Sequence, residues 1–353
     1  MAGYKGRGAL GNPPPRFLSH GTEQVDDGWY HDELPASIAT QVRAEQARSI
    51  ITRNDSPDIP FEQSINPYRG CEHGCIYCYA RPSHAYVDLS PGIDFETKIF
   101  YKADAARLLT EELGKPGYVV KPITIGANTD PYQPVEKTLQ VTRSLLEVLE
   151  RTRHPTSLIT KGTLILRDLE LLRSLARDRL VQVYVSVTSL DPELKRTLEP
   201  RAASPQARLR VVQELSAAGV PTGVLVAPII PAVNDCELEH ILAAVAAAGA
   251  GSAGYVLLRL PHELKALFRQ WLDEHLPERA DHVMSLLRGA RDGRENDPRF
   301  GSRMVGQGAW AALLRDRFAL ACKRHGLAMR AARALSVQHF RPPATGGQLS
   351  LPL

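Results

Sequence analysis

The residues best suited to chemistry lie in the run Cys71-Glu-His-Gly-Cys75-Ile-Tyr-Cys78-Tyr79. Spacings of four and then three put all three thiols in one short loop, where they can converge on one centre. Three chemistries compete for them. A disulfide leaves one thiol over and needs an oxidising compartment, and an odd total of five cysteines in 353 residues is not a disulfide framework. A zinc ion could take the three thiolates with His73 or His84, but structural zinc usually draws its ligands from two separated pairs, and no second pair occurs. A [4Fe-4S] cluster would use the three thiolates at three of its corners. Its fourth iron would then be open to a substrate or cofactor, much as catalytic zinc keeps one position free. Cys236 and Cys322 each stand alone and read as packing cysteines.

Elements must bring such a loop to a useful place. Short runs rich in Val, Ile and Thr alternate with longer helical patterns, the signature of repeated βα units around a parallel sheet. Strands are expected at Gln63 to Tyr68, Pro122 to Ala127, Ser157 to Thr160, Val181 to Thr188, Thr222 to Ala227 and Gly254 to Arg259. Helices are expected at Asp104 to Leu113, Thr138 to Arg151, Leu166 to Arg177, Pro205 to Ala218 and Asp235 to Ala248, with Asp168 and Asn234 as caps. Nothing suggests a seventh or eighth unit. The expected class is therefore α/β: an open (βα)6 partial TIM-type barrel with a helical C-terminal extension and a flexible N-terminal arm. Residues 1–60 form the basic, Gly/Pro-rich tail and arm, 61–260 the barrel, and 261–353 the extension. Within residues 1–60, Met1 to Phe17 reads as a mobile tail, and the acidic stretch Asp26 to Glu33 as an arm laid on the surface.

In parallel barrels the loops at the C-terminal strand ends converge on one mouth, so chemistry is sought there. In the fourth strand Val181, Val183, Val185 and Val187 share one face, which should pack under helices. Gln182, Tyr184, Ser186 and Thr188 share the other, which points inward either to a ligand or to an internal polar layer. Asn128, Thr129 and Asp130 end the second strand and could accept hydrogen bonds from an amino group or ribose, or simply form a turn and cap. Lys161 ends the third strand, and Arg201 could pair bidentately with a carboxylate. A surface lysine and a solvated arginine are the alternatives for these two.

The cysteine spacing, with Tyr77 just before the last cysteine and the loop placed after the first barrel strand, resembles the radical S-adenosylmethionine (SAM) superfamily. Tyr77-Cys78-Tyr79, Gly126-Ala-Asn-Thr-Asp130-Pro-Tyr-Gln-Pro134, Thr160-Lys161 and Ser186 further resemble its spore photoproduct lyase-related branch, across about Gln63 to Arg259. The resemblance implies a [4Fe-4S] cluster on Cys71, Cys75 and Cys78, and SAM held near Tyr77, Asn128, Asp130, Lys161, Ser186 and Arg201. It also implies an electron donor such as a flavodoxin or ferredoxin, and a 5'-deoxyadenosyl radical that abstracts hydrogen. In spore photoproduct lyases tyrosines and a further cysteine help return that hydrogen. Tyr77 and Tyr79 are the tyrosines nearest the motif, but the loop after the second strand has no cysteine, and Cys236 is the substitute near the mouth.

A chain with 43% hydrophobic and 23% charged residues is neither disordered nor fibrous. The uncharged run Ile241 to Leu258 is broken by Gly249, Gly251, Ser252 and Gly254, so it reads as helix, turn and strand rather than as a membrane span. The N-terminus has no apolar core of a secretory signal, and a cytoplasmic location is expected. The net charge of +4 alone decides nothing, but the resemblance to a DNA lesion lyase, the basic tail and the Arg-rich segment Arg288 to Arg303, with Arg291, Arg294 and Arg299, together make DNA or RNA the leading substrate class. A small molecule or peptide substrate is the alternative, and a non-catalytic zinc-stabilised binding module the competing class.

Overall fold

The computed structural model describes residues 4–18, 37–329 and 334–343. Its strands are β1 (Gln41–Glu45), β2 (Thr52–Arg53), β3 (Gln63–Ile65), β4 (Tyr68–Arg69), β5 (Lys98–Lys102), β6 (Ile123–Ile125), β7 (Thr156–Thr160), β8 (Val181–Ser186), β9 (Thr222–Ile229) and β10 (Ser252–Leu257). Its helices are α1 (Ile93–Thr97), α2 (Ala105–Leu113), α3 (Glu136–Leu139), α4 (Val141–Arg151), α5 (Leu169–Arg177), α6 (Pro192–Leu198), α7 (Pro205–Ala217), α8 (Leu238–Ala247), α9 (Leu264–His275), α10 (Ala280–Gly289) and α11 (Gly308–Arg324). The main sheet runs β10-β9-β8-β7-β6-β3-β2, with all pairs parallel except β2 with β3. β10 and β2 do not pair, so the barrel is partial and open. A second sheet, β1-β5-β4, stands apart from it.

Alternation explains how β8 is seated. Val181, Val183 and Val185 are fully buried in the core that also holds Leu172 and Leu175 of α5 and Val211 and Leu215 of α7. α7 begins where the sequence says it should: Pro205 occupies the first turn and the Ser204 side chain accepts from Ala207 N at 3.2 Å. The run Ile241 to Leu258 divides into α8, a glycine turn and β10, and among the described residues no helix is long and apolar enough to cross a membrane.

Several boundaries differ from the sequence reading, two of them for a visible reason. The strand expected over Gln63 to Tyr68 is two, because Pro67 has no N–H to continue the ladder; β3 joins the main sheet and β4 pairs with β5. The helix expected over Thr138 to Arg151 breaks at Gln140, whose φ is 52°. There the buried Glu136 carboxylate accepts from Thr142 N and Arg143 N at 3.0 and 3.3 Å and caps α4. Asp168 and Asn234 do stand at the N-cap positions of α5 and of the turn Asp235–Glu237, but neither side chain makes a capping hydrogen bond. Asp168 takes Arg143, Arg167 and Tyr132, while Asn234 accepts from Ile230 N at 2.6 Å and donates to Thr188 O at 2.8 Å, tying the ends of β8 and β9 together.

The arginine-rich segment lies along the open side. Leu257 N donates to Met304 O at 2.8 Å, and Arg303 grips both oxygens of Asp58, between β2 and β3, at 2.7 and 2.6 Å. Arg291 is fully buried and donates to the carbonyls of Leu257, Leu258 and Arg303. Arg299 pairs with Asp297 and Asp292, and Arg288 with Glu295. Most of the charge read as a nucleic-acid contact is therefore spent inside the molecule. Arg294 is exposed and has no ion pair among the described residues.

Residues 4–18, which composition marks as a tail, lie against the domain: Arg7, Gly8 and Ala9 are buried. Proline and glycine remove periodicity without preventing docking, and the acceptors that hold this segment come from elsewhere in the chain. The acidic arm Asp26 to Glu33 lies outside the described residues.

At the opposite end of the barrel His154 is fully buried between Tyr118 and Phe340, with Tyr118 Oη at 2.9 Å from its Nε2. Burial lowers its pKa to about 4, against the pull of the Pro155 carbonyl. A lowered histidine pKa stabilises the fold above the unfolded value near 6.5, and that stability is lost as pH falls toward 4. Between pH 7 and pH 5 the contribution should drop by about 2 kcal/mol. Urea midpoints at the two pH values, compared between the wild type and His154→Phe, check this: the variant should lose less.

Candidate functional site

The cysteine loop follows β4 and is clamped from several sides. Cys71 N donates to Phe95 O at 2.9 Å, and Ile76 N to Leu198 O, at the end of α6, at 3.0 Å. Beneath it Arg81, fully buried, donates to the carbonyls of Cys75, Gly74, Pro91 and Gly92 and to Glu96 Oε1 at 2.5 Å. The Glu96 carboxylate also accepts Gly8 N and Ala9 N, each at 2.9 Å, so the N-terminal segment completes the clamp. Gly74 sits at φ +68°, and a Cβ there would meet Glu96 Oε2 at 2.8 Å; only glycine fits this turn.

Cys71 and Cys75 are buried, Cys78 is half-buried, and all three are free thiols. Burial raises each of their pKa values. At Cys71 the charges of Asp130, Cys75 and Cys78 add to the rise; at Cys75, carried to about 12, Glu199 adds and Lys161 opposes. Such a group gains most from a multivalent cation centre, which turns mutual repulsion into attraction. Among the described residues no three His, Cys, Asp or Glu side chains converge closely enough to hold one metal ion. Three free thiols in one loop are the donors that a four-iron cube takes at three of its corners. The donor set fits the cluster.

Lys161 stands beside this loop, its Nζ 5.9 Å from the Tyr77 ring centre. The buried Tyr77 hydroxyl donates to Glu199 and lies 3.2 Å from Thr188 Oγ1. Glu199 in turn accepts from Thr188 at 2.9 Å and from the buried guanidinium of Arg208, which also reaches Ser186 O at 3.1 Å. Burial would raise the Glu199 carboxyl, but the charges of Arg208 and Lys161, with hydrogen bonds from Arg208 and Tyr77, hold it at about 2. Tyr77, Lys161 and Ser186 are thus brought to one corner of the mouth.

The other candidates are placed differently. Asp130 accepts from Thr160 Oγ1 at 2.7 Å, Lys161 N at 2.6 Å and Tyr132 N at 2.9 Å, with His73 Nδ1 at 3.3 Å. Burial opposes its ionisation, yet His73 and these donors bring its pKa to about 2. It works as a clasp between strand ends. Arg201 donates to Glu72 at 3.0 Å, and its backbone N to His73 O, so it steadies the cysteine loop. Asn128 is exposed, its backbone N held by Asn66. Tyr79 is 47% exposed and its hydroxyl donates to Ala127 O, which sets the ring across the mouth. Cys322 is buried in the core, as a packing cysteine should be; Cys236 is exposed, on the turn Asp235–Glu237 where Arg317 binds Asp235 O and Glu239. The two buried ion pairs, Arg81–Glu96 and Arg208–Glu199, went unread in the sequence, because isolated charged residues in a sequence do not declare their partners.

Comparisons with known proteins agree with this geometry. The family described as the Radical SAM superfamily matches residues 65–245. An uncharacterised protein of Mycobacterium tuberculosis is 38% identical over 277 residues, covering 75% of this chain and 82% of that protein. An uncharacterised protein of Methanocaldococcus jannaschii is 27% identical over 173 residues, 49% of this chain and 62% of that one. Spore photoproduct lyase complexed with dinucleoside spore photoproduct superimposes with a TM-score of 0.59 at 16% identity, over 82% of this chain and 81% of that chain. That likeness is one of fold.

Removing the counter-charge from Arg81 should be severe. Glu96→Gln should cost about 3–5 kcal/mol in urea unfolding, as expected for an uncompensated buried charge. It should also speed tryptic cleavage after Arg7 and Arg16 in the native protein. A loss under about 1 kcal/mol, with unchanged cleavage, would mean that the pair does not brace the loop.

Proposed function

The chain belongs to the radical SAM superfamily, and we propose that Cys71, Cys75 and Cys78 hold its [4Fe-4S] cluster at three irons, the fourth being left to SAM. The protein is an enzyme of the class that uses these two cofactors. The observation that carries the residue assignment is the set of three free thiols in one loop, braced from beneath by Arg81 and Glu96 and flanked by Lys161. When bound, cluster and SAM supply reductive cleavage to a 5'-deoxyadenosyl radical that takes a hydrogen atom from the substrate.

The chain's own residues orient and enclose. Tyr77, pinned through its hydroxyl to Glu199 and Thr188, offers a fixed ring face, and Lys161 beside it offers a cation to the SAM carboxylate or ribose. Ser186 lies in the same corner. Asp130 and Arg201 serve by holding the loops that carry these groups, and Asn128 meets ligand from the exposed rim. A flavodoxin or ferredoxin in the cytosol supplies the electron.

For the substrate we favour a nucleic acid, on the likeness in fold to spore photoproduct lyase complexed with dinucleoside spore photoproduct. Hydrogen return through a protein thiol is not part of this reading, since the loop after β6 has no cysteine and Cys236 faces solvent beside Arg317. The internal pairing of Arg288, Arg291, Arg299 and Arg303 favours a second reading, a small molecule or peptide. Salt separates the two: binding to nucleic acid falls steeply as salt rises, and binding to a neutral small molecule does not.

Anaerobic reconstitution with iron and sulfide, then dithionite and SAM, should yield 5'-deoxyadenosine from the wild type and none from Cys75→Ala. Equal yields from the two, or stoichiometric zinc without iron in protein purified anaerobically, would overturn the assignment.

A further inference from the structure

We propose that Arg259 is a specificity-determining residue whose guanidinium receives an oxyanion of the substrate, a phosphate or a carboxylate, beside the ring of Tyr79. The proposal rests on the reading that substrate enters over the cysteine loop. Arg259 follows β10 at the mouth, and its guanidinium carbon lies 5.8 Å from the centre of the Tyr79 ring, which is joined directly to Cys78.

The guanidinium has no anion of its own. Among the described residues Arg259 makes no ion pair. One terminal nitrogen reaches only Met304 Sδ at 3.8 Å, a weak acceptor, and Nε is shielded from water without a partner. Asp58 is close enough to act on it, but both oxygens of Asp58 are taken by Arg303, at 2.7 and 2.6 Å, and Gly301 N adds a third donor. Arg291, fully buried alongside, is met by backbone carbonyls and brings a further positive charge. Arg259 and Arg303 therefore share the carboxylate of Asp58, while the acid nearest Arg291, Asp297, is taken by Arg299 and Ser302. An excess of cation held partly out of water is costly unless an anion completes it. A planar guanidinium fork fits a carboxylate or phosphate in bidentate fashion, and the exposed face of Tyr79 leaves room on that side.

Thermal unfolding of the reconstituted holoenzyme at constant ionic strength tests this, with inorganic phosphate or acetate replacing chloride. The wild type should gain roughly 2–4 °C with one or both anions. Arg259→Gln should gain nothing, and Arg259→Lys less than half, because the charge remains but the fork is lost. Comparing wild type with variant at each salt cancels general salting effects. Stabilisation by phosphate alone would assign a phosphorylated substrate, and by acetate alone a carboxylate; both outcomes uphold the site. The proposal falls if Arg259→Gln gains as much as the wild type, or if neither anion shifts the wild type. No SAM or reductant enters this measurement, so it fails or succeeds independently of deoxyadenosine formation.

Discussion

Arg81 and Glu96 face each other with their charges withdrawn from water, and the rest of the site depends on that contact. Alone, either group would be expensive to bury. Together they spend their remaining donors and acceptors on backbone: four carbonyls of the cysteine loop and its neighbourhood on one side, two N–H groups of the N-terminal segment on the other. A loop crowded with thiols and glycine has little apolar surface with which to hold its own shape. The ion pair substitutes for that missing core, and it fixes backbone rather than side chains, which leaves the thiols free to meet a cluster.

A second buried pair, Arg208 with Glu199, performs a related task one layer further in. It holds Tyr77 and Thr188 through hydroxyls and keeps a carboxylate ionised beside Lys161. The mouth is thus organised by two internal charge networks, while the strands beneath it supply an apolar platform. The division suits an enzyme whose cofactors carry the reaction and whose protein must orient groups and exclude water.

The barrel was largely legible from sequence because strand alternation and helical periodicity are local signals, clear in Val181 to Val187 and in α7. The cysteines were legible because their spacing alone carries meaning. What escaped was everything set by long-range partners. Nothing near Glu136 announces that it will cap α4, and nothing near Arg303 announces Asp58. Asp130 and Arg201 read in the sequence as ligand-binding residues, and their bonds to His73, Thr160 and Glu72 were not legible there because the partners lie far along the chain. Charge clusters mislead for the same reason, since a run of arginines along the sequence is a set of separate bonds in space.

Asp58 and Arg303 are 245 residues apart, and their meeting bridges the open side of the barrel. During synthesis the cysteine loop leaves the ribosome long before that bridge can form, so the nascent chain carries three thiols on a half-built wall. Contacts of such separation form late, because loop closure must precede them. Thiols carried on a half-built wall are open to oxidation for that interval.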